Sequence, residues 1–130
     1  MPRLTFKKNE RLCSRKAIEE LYSNGKSFYS RNFKIIFLIQ KEISLYPCQV
    51  VFSVPKKIFK RAVDRNLIKR RMREAYRANK LEFYKQLTDK KIFLHLLVLY
   101  NTKEILSFDE INKNMQQAIS DLVKKMVLTQ

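Results

Sequence analysis

The stretch Ile92-Phe93-Leu94-His95-Leu96-Leu97-Val98-Leu99-Tyr100 is apolar at almost every position. A run of this length without polar alternation is typical of a strand that is buried on both faces of a sheet. Because a helical pattern precedes it, pairing in parallel with an earlier strand is expected. These residues therefore predict an interior strand in a sheet that helices cover.

Two earlier segments also predict strands. Residues 33–39 (FKIIFLI) and residues 48–54 (CQVVFSV) are rich in β-branched and aromatic side chains, and Pro55 closes the second segment. The short connection over 40–47 contains a turn signal at Pro47. The two strands are therefore expected to form an antiparallel hairpin.

Helices are predicted at both ends of this strand pattern. Ser14 is a suitable N-cap for a short helix over 15–24, and Asn24-Gly25 predicts a left-handed stop. Ser107 and Glu110 form a capping box before a last helix. That helix repeats apolar residues along one face, namely Phe108, Ile111, Met115, Ile119, Leu122 and Met126.

The composition is that of one globular domain over residues 1–130. Apolar residues make up 45% of the chain, and there are only one Gly and three Pro, which argues against low complexity. No repeat or linker divides the sequence, so an α+β fold with a mixed sheet and about three helices is expected. Cys13 and Cys48 are too far apart for a metal-ligand motif, and both are expected to be free thiols.

The charge balance indicates a polyanionic partner. The chain has 28 Lys and Arg against 12 Asp and Glu, a formal net charge of +16. Such an excess creates a field that attracts nucleic acid or an anionic membrane. No apolar run has the length of a membrane span, and the N-terminus lacks the apolar stretch of a signal peptide. We therefore expect a cytoplasmic nucleic-acid-binding protein.

Half of this excess lies in the short stretch over residues 56–77. Here a basic helix is predicted from Ala62 to about Ala78. Residues 56–77 contain ten Lys or Arg and two acids, Asp64 and Glu74. Residues 79–87 either extend the helix or bend away from it. Glu74 is placed to pair with Arg70 or Arg71.

Helical spacing sorts the residues of this stretch into two sides. At 100° per residue, one arc about 100° wide, called the basic face below, contains Asn66, Lys69, Arg70, Arg73 and Arg77. Arg65 lies at its margin. A separate apolar side, which should anchor the helix to the sheet, contains Ile68, Met72, Ala75 and Tyr76. A solvated surface is the plain alternative, but such surfaces normally mix charges of both signs, and guanidinium groups suit phosphate oxygens.

Catalytic motifs are missing from the sequence. His95 is the only histidine, and it falls inside an apolar strand, where a core or half-buried role is expected. The sequence has no nucleophile motif and no Gly-rich phosphate loop. If the protein belongs to an enzyme, we expect a partner to carry out the chemistry.

Residues 54–77 (VPKKIFKRAVDRNLIKRRMREAYR) resemble the signature of the bacterial ribonuclease P protein subunit. That family has a paired lysine at a strand end, then Ala-Val, Arg-Asn, Lys-Arg and a further Arg on one helix. Residues 4–12 and 14–27, which end in Asn24-Gly25-Lys26-Ser27, are similar to the opening of the family. The resemblance extends over most of the chain.

This resemblance implies an α/β sandwich with a left-handed βαβ crossover at the basic helix. It also implies two partners, a catalytic ribonuclease P RNA and the 5′ leader of precursor tRNA, with neither a membrane nor a small-molecule substrate. No cofactor is expected on the protein alone, and magnesium is expected in the RNA–protein holoenzyme.

The resemblance and the charge pattern together predict the site residues. The RNA-binding set is Lys56, Lys57, Arg61, Arg65, Asn66, Lys69, Arg70, Arg73 and Arg77. A cleft between the first helix and the sheet would receive the leader, with Ile18, Tyr22, Phe28 and Ile36 in or near it. No catalytic residue and no metal ligand is predicted.

Two other classes of protein remain open from the residues alone. A ribosomal or general structured-RNA-binding protein explains the charge and the architecture equally well, but not the run around Arg65-Asn66. A DNA-binding module with a recognition helix is a further alternative. The sequence shows no helix-turn-helix pattern in its support.

Overall fold

The described part of the chain forms one four-stranded sheet with three helices. A computed structural model describes residues 10–41 and 46–129, with side chains described up to residue 126. Residues 4–9 of the family-like opening and residues 42–45 of the predicted turn lie outside the described residues. The elements are α1 (Arg15–Asn24), β1 (Lys26–Ser30), β2 (Phe33–Gln40), β3 (Cys48–Ser53), α2 (Ala62–Asp89), β4 (Phe93–Tyr100) and α3 (Phe108–Thr129).

The apolar strand β4 lies inside the sheet, as its sequence predicts. The strand order is β1-β2-β4-β3. β4 pairs in parallel with β3 and antiparallel with β2, so both of its edges are satisfied by backbone hydrogen bonds. The α+β class, the mixed sheet and the parallel pairing are thus confirmed. The left hand of the β3-α2-β4 crossover stays a prediction.

The predicted hairpin between the second and third strands is wrong. β2 and β3 do not pair, because β4 lies between them. A strand that is apolar on both sides gains most from an interior position, where both faces are covered. β3 buries only alternate residues, Cys48, Val50 and Phe52, which suits a position outside β4.

Strand β1 was not predicted from the sequence. It has five residues, and its only aromatic side chains are Phe28 and Tyr29. It forms a tight hairpin with β2, in which Arg31 takes a left-handed conformation with φ of 52°. The alternation of small or polar residues around Phe28 was the available signal, and it is weak at this length.

Helix α1 joins β1 directly at Gly25. The helix bounds and the Ser14 cap are confirmed, because the Ser14 hydroxyl accepts a hydrogen bond from the Ala17 N–H at 3.2 Å. The predicted left-handed stop is wrong, since Gly25 has φ of −72°. Glycine is needed here for space: a Cβ atom would lie 2.4 Å from the Leu21 carbonyl oxygen and 2.8 Å from the Ile36 Cγ2 atom.

The sheet separates two apolar clusters. The larger one packs α2 and α3 against one face, and its fully buried members include Phe33, Met72, Tyr76 and Leu96. The smaller one packs α1 against the other face, around Leu12, Leu21, Ile36 and Leu97. The molecule therefore has three layers, with α1 on one side of the sheet and the two long helices on the other.

The two long helices confirm their sequence patterns. α2 is a single helix of 28 residues, so the segment after Ala78 extends it. At its end, Lys91 takes φ of 57° and the Ile92 N–H donates to the Leu87 carbonyl at 2.9 Å, a Schellman-type stop made without glycine. The Ser107 half of the predicted capping box of α3 is present, since the Glu110 N–H donates to the Ser107 hydroxyl at 3.2 Å. The Glu110 carboxylate accepts from the same hydroxyl at 3.3 Å.

Gly25→Ala tests the close approach of α1 to the sheet. Its added methyl meets a main-chain carbonyl and the buried Ile36 side chain, so we expect a loss of roughly 1–3 kcal/mol in the free energy of unfolding. Urea unfolding measures it. Ser23→Ala, at an exposed position in the last turn of α1, is the control and should change stability by less than about 0.5 kcal/mol. Equal stability of Gly25→Ala and the wild type would contradict the packing described.

Candidate nucleic-acid interface

The basic face of α2 points away from the protein core. The apolar side of the helix is fully buried at Ile68, Met72, Ala75 and Tyr76, as predicted. Among the predicted RNA-binding residues, the exposed ones are Lys56, Lys57, Arg61, Asn66 and Arg70, and the half-buried ones are Arg65, Lys69, Arg73 and Arg77. Packing on one side thus holds a row of cations outward on a rigid support.

Arg65 is partly engaged with the loop that leads into α2. Its Nη1 atom donates to the carbonyl oxygens of Phe59 and Lys60, each at 2.9 Å. Phe59 is buried in the core beside Tyr100, with ring centroids 5.7 Å apart. Arg65 therefore helps to fix the loop that presents Lys56, Lys57 and Arg61, in addition to lying at the margin of the basic face.

Glu74 pairs with Arg77, which corrects the prediction of a pair with Arg70 or Arg71. The Arg77 Nε atom lies 3.1 Å from both carboxylate oxygens. This hydrogen bond lowers the pKa of Glu74 and raises the pKa of Arg77. The C-terminal end of the basic face is therefore less positive than the sequence suggested.

Arg71 has a structural role. Its Nη1 atom donates to the Leu106 carbonyl at 2.6 Å, which connects α2 to the segment before α3. Arg70, the adjacent residue, is exposed and has no hydrogen-bond or ion-pair partner within residues 10–41 and 46–129. The helical arc separates these two arginines in the same way, since it includes Arg70 and leaves out Arg71.

Lys69 and Arg73 line a groove between α2 and the edge of β3. The groove has a volume of about 180 Å³, and Arg11 also lines it. Partial burial lowers the pKa of Arg73, and the positive charges of Arg11 and Arg70 lower it further. Arginine still remains protonated at neutral pH, so the groove is a concentrated positive site. Sequence reasoning missed Arg11 because no pattern links it to α2.

Three of the four predicted leader-cleft residues lie on the α1 side of the sheet. Ile36 is buried there and Ile18 is half-buried against it, while Tyr22 on α1 is 59% exposed. Phe28 lies on the opposite face, where its ring contacts Phe37 at 6.2 Å between centroids. The prediction that Phe28 lines this cleft is therefore wrong, because its position in the β1–β2 register directs it toward α3.

Tyr29 offers an aromatic surface on the α1 side. It alternates with Phe28 along β1 and is 67% exposed. The centroid of its ring lies 5.6 Å from the Lys34 Nζ atom. An exposed aromatic ring beside a cation is a suitable surface for stacking an unpaired base. The alternation of β1 could have identified Tyr29, had the strand been recognised.

His95 and Cys48, two potentially reactive side chains, are covered by the fold to different degrees. His95 is half-buried on β4, and burial lowers its pKa. Burial raises the pKa of the Cys48 thiol to about 12, as expected for a core cysteine. No group of three or more His, Cys, Asp or Glu that could hold a metal occurs within residues 10–41 and 46–129. No helix among those residues has the length and hydropathy of a membrane span.

The protein thus has an α+β fold in which α2 is buried on its apolar side and carries the basic face on the other. This combination defines the class of proteins that bind a polyanion through a basic helix. A family model described as Ribonuclease P matches residues 6–123. The ribonuclease P protein component of Porphyromonas gingivalis strain W83 is 30% identical over 118 residues, covering 91% of this chain and 86% of that protein. The corresponding protein of Finegoldia magna is 34% identical over 98 residues, covering 75% and 78%.

Solved structures show the same fold. The RNase P protein of Staphylococcus aureus superimposes with a TM-score of 0.70 at 23% identity, covering 90% of this chain and 97% of that chain. The RNase P protein of Thermotoga maritima gives a TM-score of 0.63 at 20% identity, covering 88% and 96%. The chain belongs to the ribonuclease P protein family, and its role is that of a protein subunit in tRNA 5′-end processing.

Arg70→Ala and Arg71→Ala form a matched pair that separates binding from stability. Arg70→Ala should weaken binding to structured RNA and reduce the magnitude of the log–log salt slope by about 0.7–0.9, with little change in unfolding. Arg71→Ala removes the hydrogen bond to the Leu106 carbonyl, so we expect a loss of about 1–2 kcal/mol in stability with a nearly unchanged slope. Filter binding across salt concentrations and urea unfolding measure the two effects. If Arg71→Ala lowered the magnitude of the salt slope and Arg70→Ala did not, the result would show that Arg70 does not contact RNA.

Proposed function

We propose that this chain binds the catalytic RNA of ribonuclease P and the 5′ leader of precursor tRNA, so that the RNA removes the leader more efficiently. The observation that carries the proposal is the basic face of α2. Lys69, Arg70 and Arg73 are turned outward on a helix whose other side is buried, and none of the three has an acidic partner in the described residues. This arrangement suits a phosphate backbone, because the buried side of α2 fixes the helix from which the three cations project.

The physical role of the subunit is charge neutralisation. Two polyanionic RNAs repel each other, and cations placed between them relieve that repulsion. Each phosphate that the protein neutralises releases counterions and adds about 0.7–0.9 to the magnitude of the salt slope. The protein would therefore lower the magnesium concentration that cleavage requires, with the metal held mainly by RNA and no cofactor on the protein alone.

The α1 side of the sheet is the proposed binding surface for the leader. Tyr22 and Tyr29 are exposed there, and Lys34 lies beside Tyr29. Single-stranded RNA is commonly bound by aromatic rings that stack on bases and cations that follow the backbone. This surface and the basic face of α2 lie on different elements, so one protein could contact both RNAs. Because precursor tRNA is the substrate, we propose that the protein acts in the cytoplasm.

Cleavage of a precursor tRNA by a bacterial ribonuclease P RNA tests the proposal directly. At low magnesium, the RNA alone should be nearly inactive, the protein alone should be inactive, and the mixture should cleave the leader. Arg70→Ala should require more magnesium than the wild type, while Arg71→Ala should not when assayed well below its unfolding temperature. Tight binding to structured RNA without rescue of cleavage would instead favour a general RNA-binding protein.

Tyr22→Ala tests the leader surface. Loss of one base–aromatic stack should weaken binding of a leader-bearing precursor by about 1–3 kcal/mol and leave binding of mature tRNA nearly unchanged. The measurement compares both RNAs against the reconstituted RNA–protein complex. Leu81→Ala is the control, because Leu81 is 52% exposed on the second half of α2 and lies outside the proposed surfaces. An equal loss for both tRNAs would contradict a specific contact with the leader.

A further inference from the structure

Residues 10–13 run along the free edge of β3, next to the basic face of α2. Arg11 forms a parallel bridge with Val50, and the Leu12 N–H donates to the Val50 carbonyl at 2.9 Å. Leu12 is buried in the smaller apolar cluster. The segment is therefore fixed to the sheet by backbone pairing and by one apolar side chain.

Glu10 anchors the same segment to α2 through a buried ion pair. It is 1% exposed, and its two carboxylate oxygens each lie 2.8 Å from the Lys80 Nζ atom. The Tyr84 hydroxyl donates to Glu10 at 2.6 Å and accepts from the Tyr76 hydroxyl at 3.1 Å. At 100° per residue, Lys80 falls in the same arc of α2 as Lys69 and Arg73. The anchor thus lies in line with the basic face.

Arg11 lies between this anchor and the groove. Arg11 follows Glu10 directly and lines the groove that also contains Lys69 and Arg73. Its charge is close enough to Arg73 to lower the pKa of that guanidinium. Three cations around one groove repel each other, and a bound phosphate would offset that repulsion. The Glu10 charge does not oppose such a ligand, because the Lys80 ammonium compensates it.

We propose that the groove between Arg11, Lys69 and Arg73 binds one phosphate of an RNA chain, and that Glu10 is the positioning residue that holds Arg11 in it. The inference deepens the RNA-binding role and rests on it. It adds to the basic face a contact from a distant part of the sequence. It also gives the buried pair of Glu10 and Lys80 a role in recognition as well as in folding.

The first test is Arg11→Ala, measured with the full chain and ribonuclease P RNA. Affinity should fall on the order of tenfold, because a hydrogen-bonded charge contact to phosphate is lost. The salt slope should decrease in magnitude by about 0.7–0.9. Lys85→Ala removes one exposed positive charge from the other half of α2 and is the control. If Arg11→Ala changes affinity and slope no more than Lys85→Ala, the groove is not a phosphate site.

The second test addresses the positioning role. In Glu10→Gln, the Leu12 amide should exchange hydrogen faster, and the salt slope should resemble that of Arg11→Ala. Tyr84→Phe removes a single hydroxyl from the anchor and should produce the same changes more weakly, which keeps the test open if Glu10→Gln does not fold. If Glu10 had only a structural role, Glu10→Gln would be less stable than the wild type, but the folded variant would keep the wild-type salt slope. That result would overturn the positioning role.

A double variant completes the design. If Glu10 acts through Arg11, Glu10→Gln combined with Arg11→Ala should bind RNA no more weakly than Arg11→Ala alone. Additive losses would contradict the coupling. The wild-type protein provides the separate check on the proposed function: if it fails to bind ribonuclease P RNA, the RNA-binding role itself fails. If the wild type binds this RNA and the Arg11 and Glu10 variants bind it with the same affinity and salt slope, the RNA-binding role stands and the further inference fails.

Discussion

The pairing of β4 along both of its edges is the constraint on which the rest of the structure depends. Because β4 is parallel to β3, the chain must cross from the end of β3 back to the start of β4, and such a connection needs a dozen or more residues. The 28-residue helix α2 provides it. Once its apolar side closes the larger core, its charged side can only face outward. The position of the basic face therefore follows from strand pairing.

The cations of this region fall into two groups with different tasks. Arg65 and Arg71 donate to backbone carbonyls, and Arg77 is paired with Glu74, so these side chains are partly used to hold the fold. Lys69, Arg70 and Arg73 have no ion-pair partner within the described residues. A positive surface of this kind weakens the isolated protein slightly through repulsion. The packing beneath α2 compensates for that repulsion and keeps the charges in place.

Local sequence patterns predicted most elements of the fold, and long-range pairing accounts for the errors. The cap at Ser14, the apolar run of β4 and the box before α3 depend on neighbouring residues, and each was predicted. The expected hairpin of β2 and β3 failed because a strand from later in the chain competes for the same edge. Phe28 was assigned to the wrong face because that depends on the register of a strand of five residues. Glu10 and Lys80 are 70 positions apart, and no local pattern joins them.

The segment at residues 10–13 has one more consequence, which concerns self-association. β3 is an edge strand, and an open edge presents unpaired N–H and C=O groups that can recruit a strand from another copy. The bridge between Arg11 and Val50 occupies part of that edge, and the positive charge beside it repels an identical molecule. A chain shortened past residue 12 would leave this backbone uncovered. The same few residues that supply a cation to the groove thus also protect the sheet against edge-to-edge aggregation.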